Sequence, residues 1–321
     1  MKLTRILSTI ALACSLAISA PALADDFDTA VQYANQQNYT QAFPIFKRLA
    51  EQGDAKAQNN LGAMYRNGYG VEQDYAQAVS WYRKSAEQGF AIAQYNLGVM
   101  YEQGQGVERD YAQAVSWFRR SAEQGYAMAQ YNLGVMYERG YGVKQDYAQA
   151  VSWYRKSAEQ GDAKAQNNLG AMYRNGYGVE QDYAQAVSWY RKATEQGDVD
   201  AQYNLGVMYR NGYGVKQDYA QAVSWYRKAA EQGLADAQNN LGYMYSNGYG
   251  VRQSHSEAMV WYKKAYAQGG AKAAYNIAVR YANGEGVRQN KKEAKEWYGK
   301  ACDLGDQAGC DEYRELNQQG Y

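Results

Sequence analysis

The sequence predicts an all-α fold, a solenoid of stacked helical hairpins. Three observations predict it: a 36-residue period, two stretches of helical apolar spacing within each period, and a near absence of proline. Gly53, Gly89, Gly125, Gly161, Gly197, Gly233, Gly269 and Gly305 are 36 residues apart throughout, which marks off seven full units over 54–305. Only 2 of the 321 residues are proline, as suits uninterrupted helices. Charged residues make up 21 %, so the chain is no disordered polyelectrolyte. A single histidine cannot furnish a multi-histidine metal site, and three cysteines are too few for a disulfide scaffold or a cysteine-rich zinc module. A formal net charge of +1 offers no basic footprint for nucleic acid and no polybasic membrane patch.

The elements follow in chain order. Lys2 and Arg5 precede a run, Ile6 to Ala20, that is apolar or small throughout. Pro21 breaks it, and Ala22-Leu23-Ala24 is a small-x-small cleavage site before Asp25 and Asp26. Residues 1–24 are therefore expected to be a cleaved export signal, with Asp25 the mature N-terminus; the apolar run is short for a membrane span. A lipid-modified Cys14 is disfavoured, because Ala11 stands where a larger aliphatic residue belongs. Cleavage removes two basic residues and no acidic one, taking the formal charge from +1 to −1. The mature chain is expected to be soluble, periplasmic or secreted, in an oxidising compartment.

Residues 25–53 form a shortened unit, an N-terminal capping hairpin. The seven full units run 54–89, 90–125, 126–161, 162–197, 198–233, 234–269 and 270–305, and 306–321 is a C-terminal capping segment. Units 54–89 and 162–197 differ only at Ser85/Ala193 and Ala86/Thr194, which suggests recent duplication. With the positions of a unit numbered 1 to 36, apolar residues at 4, 8, 11 and 12 (Ala57, Leu61, Met64, Tyr65) have helical spacing, as do 22, 25, 26, 29 and 33 (Tyr75, Ala78, Val79, Tyr82, Ala86). Gly68-Tyr69-Gly70-Val71 breaks the first helix. Asp74 is placed to cap the second, with Gln77 completing a capping box, and Gly89 ends it in a left-handed turn. A lone hairpin cannot bury both apolar faces, but stacked hairpins can. Trp81, Trp117, Trp153, Trp189, Trp225, Trp261 and Trp297 all fall at position 28 and are expected in the core.

The recurring pattern, from Ala55-Lys56-Ala57-Gln58 through Trp81-Tyr82 to Gly89, resembles the Sel-1-like repeat, a relative of the tetratricopeptide repeat. The resemblance covers 26–310 and implies a right-handed α-α superhelix. The ends depart from it. The first unit lacks the glycine-rich turn and resembles a tetratricopeptide hairpin, with Asn38 as a cap (in a glycosylation-like Asn38-Tyr39-Thr40) and Pro44 inside its second helix. In the last unit Ile277-Ala278 and Asn290-Lys291-Lys292 replace the usual residues. Cysteine-rich members carry disulfides at the spacing of Cys302 and Cys310, which implies that pairing here, with two buried thiols the alternative.

Chemistry finds little purchase. Turns such as Gly140-Tyr141-Gly142 follow a helix and lack the third glycine of a phosphate loop. His255 sits at position 22 with no Ser or Cys forming an obvious nucleophile pair. A penicillin-binding or β-lactamase-like enzyme, which the resemblance keeps as an alternative, normally needs a Ser-x-x-Lys motif; Ser80 meets Arg83 instead. No catalytic, metal or cofactor-binding residue and no cofactor is expected.

Variation between units points to a face. Positions 3, 6, 10 and 13 form one stripe along the first helix. By resemblance to tetratricopeptide arrays it lines a concave groove. Units two and three place Ile92, Tyr95, Val99, Met128, Tyr131 and Val135 there, with Glu102 and Glu138 beside them. Lys56, Arg66, Lys164 and Arg174 flank this centre. An aromatic centre with charged rims is the anatomy of a binding surface, although drift at solvent positions would also vary the stripe. The expected function is an exported, monomeric scaffold that binds a protein or peptide ligand, with neither nucleic acid nor membrane insertion involved. A cell-wall glycan binder is the other alternative.

Overall fold

The computed structural model describes residues 20–321, with side chains from Asp26 onward. The export signal expected at 1–24 lies outside these, apart from the backbone of 20–24. Among the described residues there are seventeen α-helices and no strand. They fall into two compact units, one ending at Gln124 and one beginning at Gly125.

The first unit holds α1 (Ala20–Asn35), α2 (Tyr39–Glu51), α3 (Ala55–Asn67), α4 (Tyr75–Glu87), α5 (Ala91–Gln103) and α6 (Tyr111–Glu123). The second holds α7 (Ala127–Arg139), α8 (Tyr147–Glu159), α9 (Ala163–Asn175), α10 (Tyr183–Glu195), α11 (Val199–Asn211), α12 (Tyr219–Glu231), α13 (Ala235–Asn247), α14 (His255–Tyr266), α15 (Ala271–Asn283), α16 (Lys291–Asp303) and α17 (Gln307–Gln318). Within each unit consecutive helices pack as hairpins, and each hairpin packs on the next.

The helix ends follow the glycine and aspartate signals, with two differences. Gly68 ends α3 in the left-handed region (φ 71°), and Gly89 (φ 89°) follows Gln88, the residue that caps α4. Asp74 Oδ1 accepts from the Gln77 amide at 3.0 Å. The reciprocal half of the capping box is absent: the Asp74 amide donates to the Tyr65 carbonyl at 2.9 Å, a bond that closes the hairpin. Asn38 does stand before α2, but its side chain accepts from the Thr40 hydroxyl at 3.2 Å and caps no amide. Pro44 lies inside α2 at an exposed position.

The core differs from the expectation in one respect. The large side chain buried in each repeat is the aromatic at position 29, not the tryptophan before it. Tyr82, Tyr154, Tyr190, Tyr226, Tyr262 and Phe118 are all less than 2 % exposed. Each ring lies against the glycine at position 9: a Cβ on Gly62 would stand 2.8 Å from the Tyr82 ring, and one on Gly98 2.7 Å from Phe118. Glycine is required there for close approach. Trp261 is buried, but the other six tryptophans are only half-buried. Trp81 packs on the cluster around Phe46 and Leu61, and in every repeat a Lys or Arg three residues on lies 3.8–4.6 Å from the indole centroid.

Polar side chains stitch the stack. Gln58 is buried, donates to the Ala50 carbonyl of the preceding hairpin (3.1 Å) and accepts from Gln88 (2.7 Å). Gln94, Gln166 and Gln238 make the same pair of bonds in their repeats. Being satisfied, these buried amides fix the register rather than weaken it. At the C-terminal end, Cys302 and Cys310 are joined by a disulfide, with Cα atoms 4.5 Å apart, tying α16 to α17.

Candidate functional site

The stripe side chains of units two and three sit on α5, in the first compact unit, and on α7, in the second. On α5, Ile92 is 38 % exposed and Tyr95 is half-buried, its ring 5.8 Å from that of Phe118. Val99 is only 7 % exposed, so it supports the face from beneath and leaves little for a partner to touch. On α7, Met128 is 46 % exposed, Val135 is half-buried, and Tyr131 lies 5.8 Å from Tyr154. Burial raises the Tyr131 hydroxyl pKa, and the nearby Asp162 and Glu138 charges add to the shift.

The two glutamates, equivalent in sequence, differ in surroundings. Glu138 accepts a hydrogen bond from the Tyr154 hydroxyl. Burial and that bond push the Tyr154 pKa far up. Glu102 has Phe118 in the matching place, and among the described residues no hydrogen bond or ion pair reaches its half-buried carboxylate. Desolvation raises its pKa. In neighbouring repeats position 13 is a cation facing the same hydroxyl: Arg66 at Tyr82, Arg174 at Tyr190 and Arg210 at Tyr226. Burial raises those three hydroxyls to about 12 against the opposing pull of the arginines.

Two further features escaped sequence reasoning. Exposed turn tyrosines stack on the first residue of the preceding repeat's second helix: Tyr69 on Tyr39 at 4.4 Å in the first compact unit, and Tyr177 on Tyr147, Tyr213 on Tyr183 and Tyr249 on Tyr219 at 4.8–5.1 Å in the second. Their recurrence at positions 16 and 22 was the available signal. The second is an apolar cleft of about 250 Å³ among α1, α2 and α3, lined by Val31, Phe46, Ala63 and Met64. It opens beside Ala63, where most other repeats carry valine.

The G-x-G turns are explained by packing. A Cβ on Gly70 would lie 2.4 Å from the Tyr39 carbonyl oxygen, and one on Gly214 2.3 Å from that of Tyr183. The second glycine is thus pressed against the preceding repeat. His255 is half-buried with an unpartnered Nδ1, and its Cβ would clash with one placed on Gly286. Among the described residues no cluster of His, Cys, Asp and Glu has the makings of a metal site, and no helix is long and apolar enough to cross a membrane.

Comparison with known proteins matches the Sel1 repeat to seven consecutive segments, 55–90, 91–126, 127–162, 163–198, 199–234, 235–270 and 271–306. Among solved structures the chain is similar to c5321 of Escherichia coli, described as a protective antigen present in uropathogenic strains and displaying an SLR fold. Identity is 41 % and the TM-score 0.83, over 92 % of this chain and 65 % of that one. The chain thus spans just under two thirds of that relative. It is also similar to a Sel1 repeat protein from Oxalobacter formigenes, at 36 % identity and TM-score 0.69, over 75 % of this chain and 96 % of that one. No curated protein matches.

Proposed function

The chain belongs to the Sel1 repeat family, and on that premise we propose that it is a protein-binding scaffold without catalytic activity, monomeric and exported to the periplasm or beyond. Its ligand is a protein or peptide held on the first-helix faces of the central repeats. One observation carries this reading. At position 3, where sister repeats place Lys56, Lys164, Asp200, Asp236 and Lys272, α5 and α7 instead leave Ile92 and Met128 in solvent. Exposed apolar side chains beside aromatic rings are the material of binding hot spots. Export accords with the residue pattern of 1–24 and with the Cys302–Cys310 bond.

The test is crosslinking capture from envelope extract with the oxidised protein. Ile92→Glu and Met128→Glu, being on the surface, should leave the melting temperature unchanged; together they should abolish capture of the partner. Capture that survives both substitutions refutes the reading. The stacked turn tyrosines favour a second reading, a cell-wall glycan lying on their faces. Co-sedimentation with insoluble peptidoglycan, lost on Tyr177→Ala with Tyr213→Ala, would establish it. The intact mass of the exported protein should correspond to a chain starting at Asp25.

A further inference from the structure

Glu102 is a carboxylate without a partner where equivalent polar side chains have one. Position 13 lies one helical turn beyond the position-9 glycine, so its side chain reaches the outer end of the buried position-29 ring. In the third repeat that end is a hydroxyl, and it donates to Glu138. In the second repeat the ring is Phe118, packed just as closely against Gly98, and the donor is gone. Ser246, the equivalent residue of the sixth repeat, accepts from Arg280. Among the described residues no cation or hydroxyl takes this place at Glu102.

A half-buried anion with no partner is unfavourable in the free protein, because the lost hydration is not replaced. It is matched by a ligand that brings a cation. Tyr95 lies two turns before Glu102 on the same face of α5, and Ile92 stands exposed nearly a turn further back. The methylene stem of a long basic side chain can lie along these while its charged head reaches the carboxylate. A charge-assisted bond to a partly desolvated carboxylate is stronger than a surface ion pair.

We propose that Glu102, Tyr95 and Ile92 form a seat for one lysine or arginine side chain of the partner protein. The proposal rests on the first-helix face being the binding surface, and it names the kind of segment that face accepts: a basic residue flanked by apolar ones.

The experiment selects phage-displayed random dodecapeptides on the full-length, oxidised protein and measures one recovered peptide, fluorescently labelled, by anisotropy. The recovered peptides should carry Lys or Arg beside apolar residues. Glu102→Gln should weaken binding at least tenfold. Replacing the peptide's lysine by norleucine, or its arginine by citrulline, should do the same, and the two changes together should add nothing further. Phe118→Tyr supplies the hydroxyl found in every other full repeat, so it preserves the fold, and it should weaken binding several-fold by competing for the carboxylate. Glu108→Gln, an exposed acid on the turn of the same repeat, should bind within twofold of wild type. Peptides that lack a basic residue, or that bind Glu102→Gln as well as wild type, overturn the seat, as does recovery of no peptide. Binding lost on Ile92→Glu but kept on Glu102→Gln leaves the face intact and refutes only the seat. Binding indifferent to both refutes the face as well.

Discussion

Gly206→Ala puts the packing of the repeat to its hardest test. Gly206 is inside α11, where alanine should be better than glycine by about 1 kcal/mol on helix propensity alone. The structure reverses that sign. A Cβ at 206 would stand 2.7 Å from both Cδ1 and Cε1 of Tyr226, against about 3.5–4.0 Å for a comfortable carbon contact. The ring, fully buried on α12, must move by about 1 Å, and overpacking of this kind costs about 1–3 kcal/mol. Set against the propensity gain, the net expectation is a loss of up to about 2 kcal/mol. The last repeat shows what the accommodation looks like. There position 9 is Ala278, and the Tyr275 and Tyr298 rings meet at 57°, against 38–40° where position 9 is glycine. Because a long repeat array need not unfold in one step, the assay is native-state hydrogen exchange, read in α11 and α12. A double-mutant cycle with Tyr226→Leu isolates the contact: on the smaller side chain Gly206→Ala should be neutral or stabilising. Equal destabilisation in both backgrounds, or a more stable single variant, would refute the argument.

Three other outcomes follow from the same contacts. Tyr190→Phe should be neutral or slightly stabilising, because the Tyr190 hydroxyl is buried without a partner, whereas Tyr154→Phe should cost about 1–3 kcal/mol by stranding Glu138; chemical denaturation of the two variants checks the contrast. Glu102→Gln should stabilise the protein at pH 7: with its folded pKa raised by burial, wild type holds its full stability below the ordinary glutamate range and loses some as the pH rises through the raised value. The advantage of the variant should therefore vanish in melts at acid pH. Reduction of Cys302–Cys310 should remove about 2–3 kcal/mol, and exchange protection should fall in α16 and α17 while the central repeats keep theirs.

Much of this protein was legible in its sequence, because a repeat presents each local signal seven times. The period, the helix pairs, the positive-φ glycines that end them and the aspartates that begin the second helices are decided by residues a few positions apart. A strong local pattern reports such features directly. The cysteines at 302 and 310 fall at a spacing with a known precedent in the family it resembles, and the fold brings them together.

What only the tertiary structure decided lies in contacts between residues distant along the chain. Positions 28 and 29 are both aromatic in every full repeat and differ by about 100° around the helix, so apolar spacing alone admits either into the core. The facing glycine at position 9, twenty residues earlier, gives the place to position 29 and leaves most of the tryptophans half-buried under a cation. Glu102 and Glu138 occupy the same position in nearly identical helices. One is bonded and the other bare, because the residue packed across the hairpin is Tyr154 in one repeat and Phe118 in the other. A single oxygen atom, absent from a side chain sixteen residues away, sets the chemistry of the exposed face, and only the packing of the two helices brings that difference to bear.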